Sequence, residues 1–185
     1  MLYTALIGIP SHDSINTGLS PMNTDKLRHQ FGDPCAHMTA DCQPVTSPHL
    51  ATRMMTQRIT PTFRATGMDY AISDLLTILQ QVEIKDPALY ALVGSAGMLC
   101  ARFVRGSNSV ISNHSYGLAI DLTIGGILTP RGSSTITYGL LALYPYFHAA
   151  GWYWGAEFPT PDAMHFEQSW ERYQQHETQR ISGGG

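Results

Sequence analysis

Between residues 118 and 124, Leu118, Ile120, Leu122 and Ile124 alternate with Ala119, Asp121 and Thr123. A period of two marks a half-buried strand, because successive side chains point to opposite faces. The leucines and isoleucines take one face, and Asp121 projects from the other into polar space. A shorter alternation follows at 164–167, with Met164 and Phe166 on one predicted strand face and His165 and Glu167 on the other. Residues 98–104 read as a further strand, with Cys100, Arg102 and Val104 sharing a face. Helical spacing appears at Ile72, Leu75, Leu76, Leu79 and Val82, predicting a helix from Asp69 that packs on the sheet. Leu140, Leu141, Leu143, Tyr144 and Phe147 predict another, bent or interrupted at Pro145 and closed by Gly151.

Residues 1–67 have no such period. Pro10, Pro21, Pro34, Pro44, Pro48 and Pro61 punctuate short polar stretches, so this segment is expected to be an irregular arm of the same domain that walls its cleft. No internal repeat marks a second domain. Residues 68–180 form the core, and 181–185, ending Ser182-Gly183-Gly184-Gly185, read as a flexible tail of the kind added in cloning. The fold class expected is α+β: a small antiparallel sheet flanked by helices on one side.

The polar faces of the two motif strands carry the candidate chemistry. Catalytic zinc takes three nitrogen or oxygen side chains and leaves a position open for water. His114, Asp121 and His165 supply such a set. Asp162, three residues before His165, can reach the attacking water without being a ligand, as a general acid–base must. Glu167 shares a face with His165 and can orient its ring. Gly117 lies where the chain leaves a turn for the strand. Each residue also has a plainer reading: a single histidine on a strand is more often a hydrogen-bonded structural residue, and an Asp before a turn is often a cap. The three ligand types coincide on alternating strands beside a further carboxylate, which favours the metal reading. His12, His29, His37, His49, His148 and His176 have no comparable setting.

Bulk properties narrow the field. With 185 residues, 43% hydrophobic and 14% charged, the chain can bury the core of one domain. A net charge of −3 and a pI near 6.2 provide no general attraction to nucleic acid or an anionic membrane, and no run of residues is long enough to span a bilayer. Of three cysteines, Cys35 and Cys42 are close enough in a proline-rich loop to pair, leaving Cys100 single.

The run Cys100 to Gly106, then Ser112-Asn113-His114-Ser115-Tyr116-Gly117-Leu118-Ala119-Ile120-Asp121, Gly151-Trp152-Tyr153-Trp154-Gly155 and Asp162-Ala163-Met164-His165-Phe166-Glu167, resembles the zinc D-alanyl-D-alanine carboxypeptidase family. The resemblance covers about residues 68–170 and is nearest the branch with phage L-alanyl-D-glutamate endolysins. Every fixed position of Ser-x-His-x-x-Gly-x-Ala-x-Asp, and of the later acidic residue, two spacers and His, is present.

This resemblance implies the fold shared by hedgehog proteins and these peptidases, with one zinc on His114, Asp121 and His165 and Asp162 as general base. It also implies an arginine upstream of the first ligand that binds the substrate carbonyl. Arg102 is favoured over Arg105, whose plainer reading is a solvated loop residue. Ser112 is implied to orient substrate or a ligand, or else serves a turn. Trp154 belongs to an aromatic run that could stack on substrate, at least one member of which is expected to be plain core. Where relatives often carry Trp-Gly-Gly-Asp-Trp, this chain has Trp154-Gly155-Ala156-Glu157-Phe158, which predicts a pocket of different shape near the metal.

The implied activity is hydrolysis of the peptidoglycan stem peptide by a monomeric, cell-wall-degrading, bacteriolytic enzyme, with no immunity protein specified. Met1 to Ile9 lacks a basic start and is followed by Pro10 and His12-Asp13, a poor signal peptide. The enzyme is therefore expected to be made in the cytoplasm and released or delivered to the wall. Two rival readings remain: a non-catalytic zinc-binding module of the same fold, against which Asp162 and Arg102 argue, and a mononuclear iron oxygenase. The second also uses two histidines and a carboxylate, but usually spaces the first pair only one residue apart.

Overall fold

The computed structural model describes residues 1–183. In chain order its strands and helices are β1 Leu6–Gly8, α1 Thr24–Phe31, α2 Pro48–Ala51, β2 Met54–Arg58, β3 Arg64–Met68, α3 Asp69–Lys85, α4 Pro87–Tyr90, β4 Val93–Gly97, β5 Ala119–Ile124, β6 Thr135–Thr137, α5 Tyr138–Ala149, β7 Trp152–Trp154, β8 His165–Gln168 and α6 Trp170–Gly183. The main sheet is antiparallel, in the order β4-β5-β8-β7. β1 pairs with β6 and β2 with β3 in separate two-stranded ladders. This is the α+β architecture expected.

The period-two reading explains the core. Ile120, Leu122, Ile124 and Phe166 are fully buried and join one apolar cluster with Ile72, Leu75 and Leu79 of α3 and Leu140, Leu143 and Phe147 of α5. The Phe147 ring lies 4.5 Å from Phe166 and packs edge-on to Trp152 at 5.7 Å. Burying each such side chain contributes about 1.5–3 kcal/mol. The opposite sheet face is thereby left to the polar residues of the same strands.

Several expectations are corrected. Residues 98–104 are not a strand of the sheet. β4 occupies Val93–Gly97, whose Gly-Ser-Ala-Gly composition hides the strand from any apolar pattern, and 98–104 runs through isolated bridges from Ala101 to Gln43 and from Phe103 to Ile111. The region 1–67 is not irregular: it holds α1, capped by the Asn23 side chain accepting from the Lys26 N–H at 2.9 Å, and the β2–β3 hairpin. These pieces are too short to show a period between prolines. Pro145 lies inside α5 without ending it.

The disulfide joins Cys42 to Cys100, with Cα atoms 5.2 Å apart, and Cys35 is a buried free thiol. The Gln43–Ala101 bridge brings those two cysteines together, so sequence proximity was the wrong guide. α6 extends through Gly183, while Gly184 and Gly185 of the expected tail lie outside the described residues. Among the described residues no helix is long and apolar enough to cross a membrane.

Candidate metal centre and its cleft

Asp121 and His165 are register partners across β5 and β8, so their side chains leave the same face of the sheet. His114 arrives from a 3-10 turn, Asn113–Tyr116, that precedes β5. Gly117 ends that turn at φ 62°, and its carbonyl accepts from the Met68 N–H at 3.0 Å. A Cβ at Gly117 would sit 2.6 Å from Gly67 Cα and from the Met68 nitrogen, so both conformation and space require glycine.

The three side chains converge. His114 Nε2 lies 3.2 Å from Asp121 Oδ1 and 3.1 Å from His165 Nδ1, and His165 Nδ1 lies 3.2 Å from Asp121 Oδ1. The outer ring nitrogens decide what these atoms offer. His114 Nδ1 faces the Met98 carbonyl at 2.7 Å, an acceptor only, and must donate its proton there. His165 Nε2 faces the buried Glu167 carboxylate at 2.8 Å and donates likewise. With both rings neutral, His114 Nε2, His165 Nδ1 and Asp121 Oδ1 present lone pairs to one another. Their spacing matches the edge of about 3.3 Å expected for bonds of about 2.0–2.1 Å at tetrahedral angles. The donor set therefore fits zinc.

The electrostatics agree. Burial would depress His165, but the Asp121 and Glu167 carboxylates bonded to it override this and hold it at about 10. Burial likewise opposes ionisation of Asp121, yet the two histidines hold its carboxyl well below the usual carboxylate range. Two carboxylates packed against one imidazole thus attract positive charge, as a proton or as a metal.

Asp162 enters from the turn before β8. Its N–H donates to the Gly155 carbonyl at 2.9 Å, and its carbonyl accepts from the His165 N–H at 3.1 Å. Burial pushes its carboxyl above the ordinary value, with His165, Arg131 and His114 opposing and Asp121 assisting. A Cβ on Gly155 would meet the Asp162 carbonyl oxygen at 2.7 Å, which accounts for the first glycine of the aromatic motif. Ala156, in place of the second, is fully buried, and Phe158 lines the cleft with its ring 5.5 Å from His165.

These residues lie in one cleft of 460 Å³. Ser112, Arg102 and Arg105 also line it. Arg102 is half-buried, donates through Nη1 to the Phe103 carbonyl at 3.1 Å, and lies within the fields of Asp121 and Asp162. Trp154 does not reach the cleft. It is fully buried, stacked on Phe166, and donates from Nε1 to the Ala163 carbonyl at 2.7 Å, so it packs beneath the segment leading from Asp162 to His165, outside the cleft lining.

Sequence reasoning named none of four contributing residues, although it expected the arm to wall the cleft. Met98 acts through its backbone carbonyl, which no side-chain motif marks. Met22 and Thr24 of the arm wall the cleft, Thr24 Oγ1 accepting from the Ile111 N–H at 2.8 Å. Arg131 lines it from the β5–β6 loop.

Comparison with known proteins agrees with this arrangement. No curated protein and no solved structure matches the chain. A model of the M15 peptidases described as D-alanyl-D-alanine carboxypeptidase matches residues 105–168. That span, about a third of the chain, contains His114, Asp121, Asp162 and His165 and supports a metallopeptidase of peptidoglycan at the level of the family. Over residues 105–168, then, the chain is similar to the D-alanyl-D-alanine carboxypeptidase family.

Proposed function

We propose that the protein is a zinc peptidase that hydrolyses an amide bond of the peptidoglycan stem peptide, as an L-alanyl-D-glutamate endopeptidase or a D-alanyl-D-alanine carboxypeptidase. The observation that carries this reading is the convergence of the three donor atoms within 3.2 Å in a cleft shared with Asp162. His114, Asp121 and His165 would hold the ion. Bound there, zinc supplies Lewis acidity that polarises a carbonyl and lowers the pKa of water to about 7.

The chain's own residues do the rest. Asp162 takes the proton of the attacking water and returns it to the departing amine; its raised pKa suits the second half of that cycle. Arg102 offers its guanidinium fork to the carbonyl oxygen as negative charge develops. Glu167 and the Met98 carbonyl keep the imidazoles in the tautomers that face inward. Ser112 and Arg105, which line the same cleft, contact the substrate beside it. The site of action is the cell wall, reached by release or delivery, and the Cys42–Cys100 disulfide suits an oxidising compartment.

The test is digestion of purified peptidoglycan and defined stem peptides with products read by mass spectrometry. Release of terminal D-alanine identifies the carboxypeptidase, and a cut after L-alanine identifies the endopeptidase. Absence of any zinc-dependent product would replace this reading with a zinc-binding module.

A further inference from the structure

The chain has nine arginines and a net charge of −3. Four of them are paired: Arg28 with Asp33, Arg53 with Asp69, Arg172 with Asp74 and Arg180 with Glu177. Of the five that have no carboxylate within 4.0 Å among the described residues, three line the cleft: Arg102, Arg105 and Arg131. A molecule negative overall thus gathers three of those five arginines at one mouth. Apolar Val104, Val110, Leu128 and Pro130 line the same cleft, and low-dielectric walls strengthen charge recognition.

The two arginines not needed at the carbonyl are held by turns. Arg105 sits in the turn closed by the Ser107 N–H donating to the Val104 carbonyl at 2.9 Å. Arg131 sits in the turn closed by the Ser133 N–H donating to the Pro130 carbonyl at 3.0 Å. The next residue, Gly132, donates its N–H to the Pro161 carbonyl at 2.6 Å, directly before Asp162. The loop carrying Arg131 is therefore fastened to the segment carrying the general base, at a fixed offset from the reacting bond.

We propose that Arg131, together with Arg105, binds a substrate carboxylate beside the scissile amide and determines specificity for peptides in which that carboxylate is free over those in which it is amidated. This rests on the peptidase reading above. The stem peptide offers two such groups, the α-carboxylate of its γ-linked D-glutamate and its terminal carboxylate, and both present the planar pair of oxygens that a guanidinium fork fits.

The experiment uses L-alanyl-γ-D-glutamyl-L-lysyl-D-alanyl-D-alanine in four forms, with each of those two carboxylates free or amidated. kcat and KM are measured for the zinc-loaded chain, Arg131→Gln, and Arg58→Gln as a control for lost charge away from the cleft. Binding of the same peptides to zinc-loaded Asp162→Ala, with and without Arg131→Gln, is followed by calorimetry. The expected result is a preference of about tenfold or more for one free carboxylate, expressed in KM and Kd, lost in Arg131→Gln and kept in Arg58→Gln. The amidation that matters identifies the carboxylate.

A preference unchanged by Arg131→Gln, or no preference in the parent chain, overturns the proposal. Hydrolysis without carboxylate preference removes the subsite and leaves the peptidase. Arg131-dependent binding without hydrolysis of any form removes the peptidase and leaves the subsite.

Discussion

At the scale of single residues, each inward-facing lone pair depends on a partner behind the ring. Glu167→Gln keeps the size of the side chain but can present an amide N–H toward His165 Nε2, favouring the tautomer whose Nδ1 carries the proton. Zinc affinity should fall about 10–100-fold, read by competition with a chromogenic chelator. An unchanged affinity would show that Glu167 does not set the tautomer. Trp154→Phe removes the Nε1–H bond to the Ala163 carbonyl and leaves that oxygen without its partner. It should cost about 1–3 kcal/mol in urea denaturation while KM stays near the parent value, since the ring does not touch the cleft. A raised KM with unchanged stability would return Trp154 to the substrate. The convergence of His114, Asp121 and His165 beside Asp162 was legible because a strand's period and short fixed spacings place them. The Met98 carbonyl was not, because any residue supplies a carbonyl, and only the fold says where it points.

At the scale of elements, α3 and α6 are joined through Asp74. Its carboxylate accepts from Arg172 at 2.6 and 2.9 Å, from Gln168 of β8 at 2.9 Å and from His176 at 3.1 Å. Burial alone would raise the Asp74 carboxyl, but the bonds from Arg172 and His176 override it and leave the group below the usual range. A depressed carboxylate contributes stability that is present above its unfolded value, about 3.9, and lost as pH falls through its folded value. Asp74→Ala should therefore destabilise the fold by about 3 kcal/mol at neutral pH, with the difference from the parent shrinking in acid below about pH 4. Calorimetric melts across pH would test this, and a penalty independent of pH down to the acid limit would contradict it. The helices themselves were legible from their apolar faces. Their clamp was not, because Asp74 and Arg172 stand 98 residues apart. The same distance problem hid β4, which is recognisable by its pairing with β5 and not by its glycine-rich composition.

At the scale of the whole molecule, the N-terminal arm is tied to the sheet that carries Asp121 and His165. The Cys42–Cys100 disulfide ties the arm to the segment between Met98 and Arg102, closing a separation of 58 residues. Replacing both cysteines by serine should cost about 2–4 kcal/mol in thermal or urea unfolding. No loss would mean that the bridges from Gln43 and Thr24 hold the arm unaided. This link and the arginines at the cleft mouth are properties of the assembled chain, which local spacing could not reveal. The central claim is a hydrolytic zinc held by His114, Asp121 and His165. Its most direct test is titration of metal-free protein with zinc while stem-peptide cleavage is followed, alongside Asp162→Ala and Asp121→Ala. The account predicts activity rising linearly to one equivalent, Asp162→Ala binding that equivalent without cleaving, and Asp121→Ala doing neither. Cleavage that ignores zinc, or one bound equivalent in the parent chain with no cleavage of any stem peptide, would contradict it.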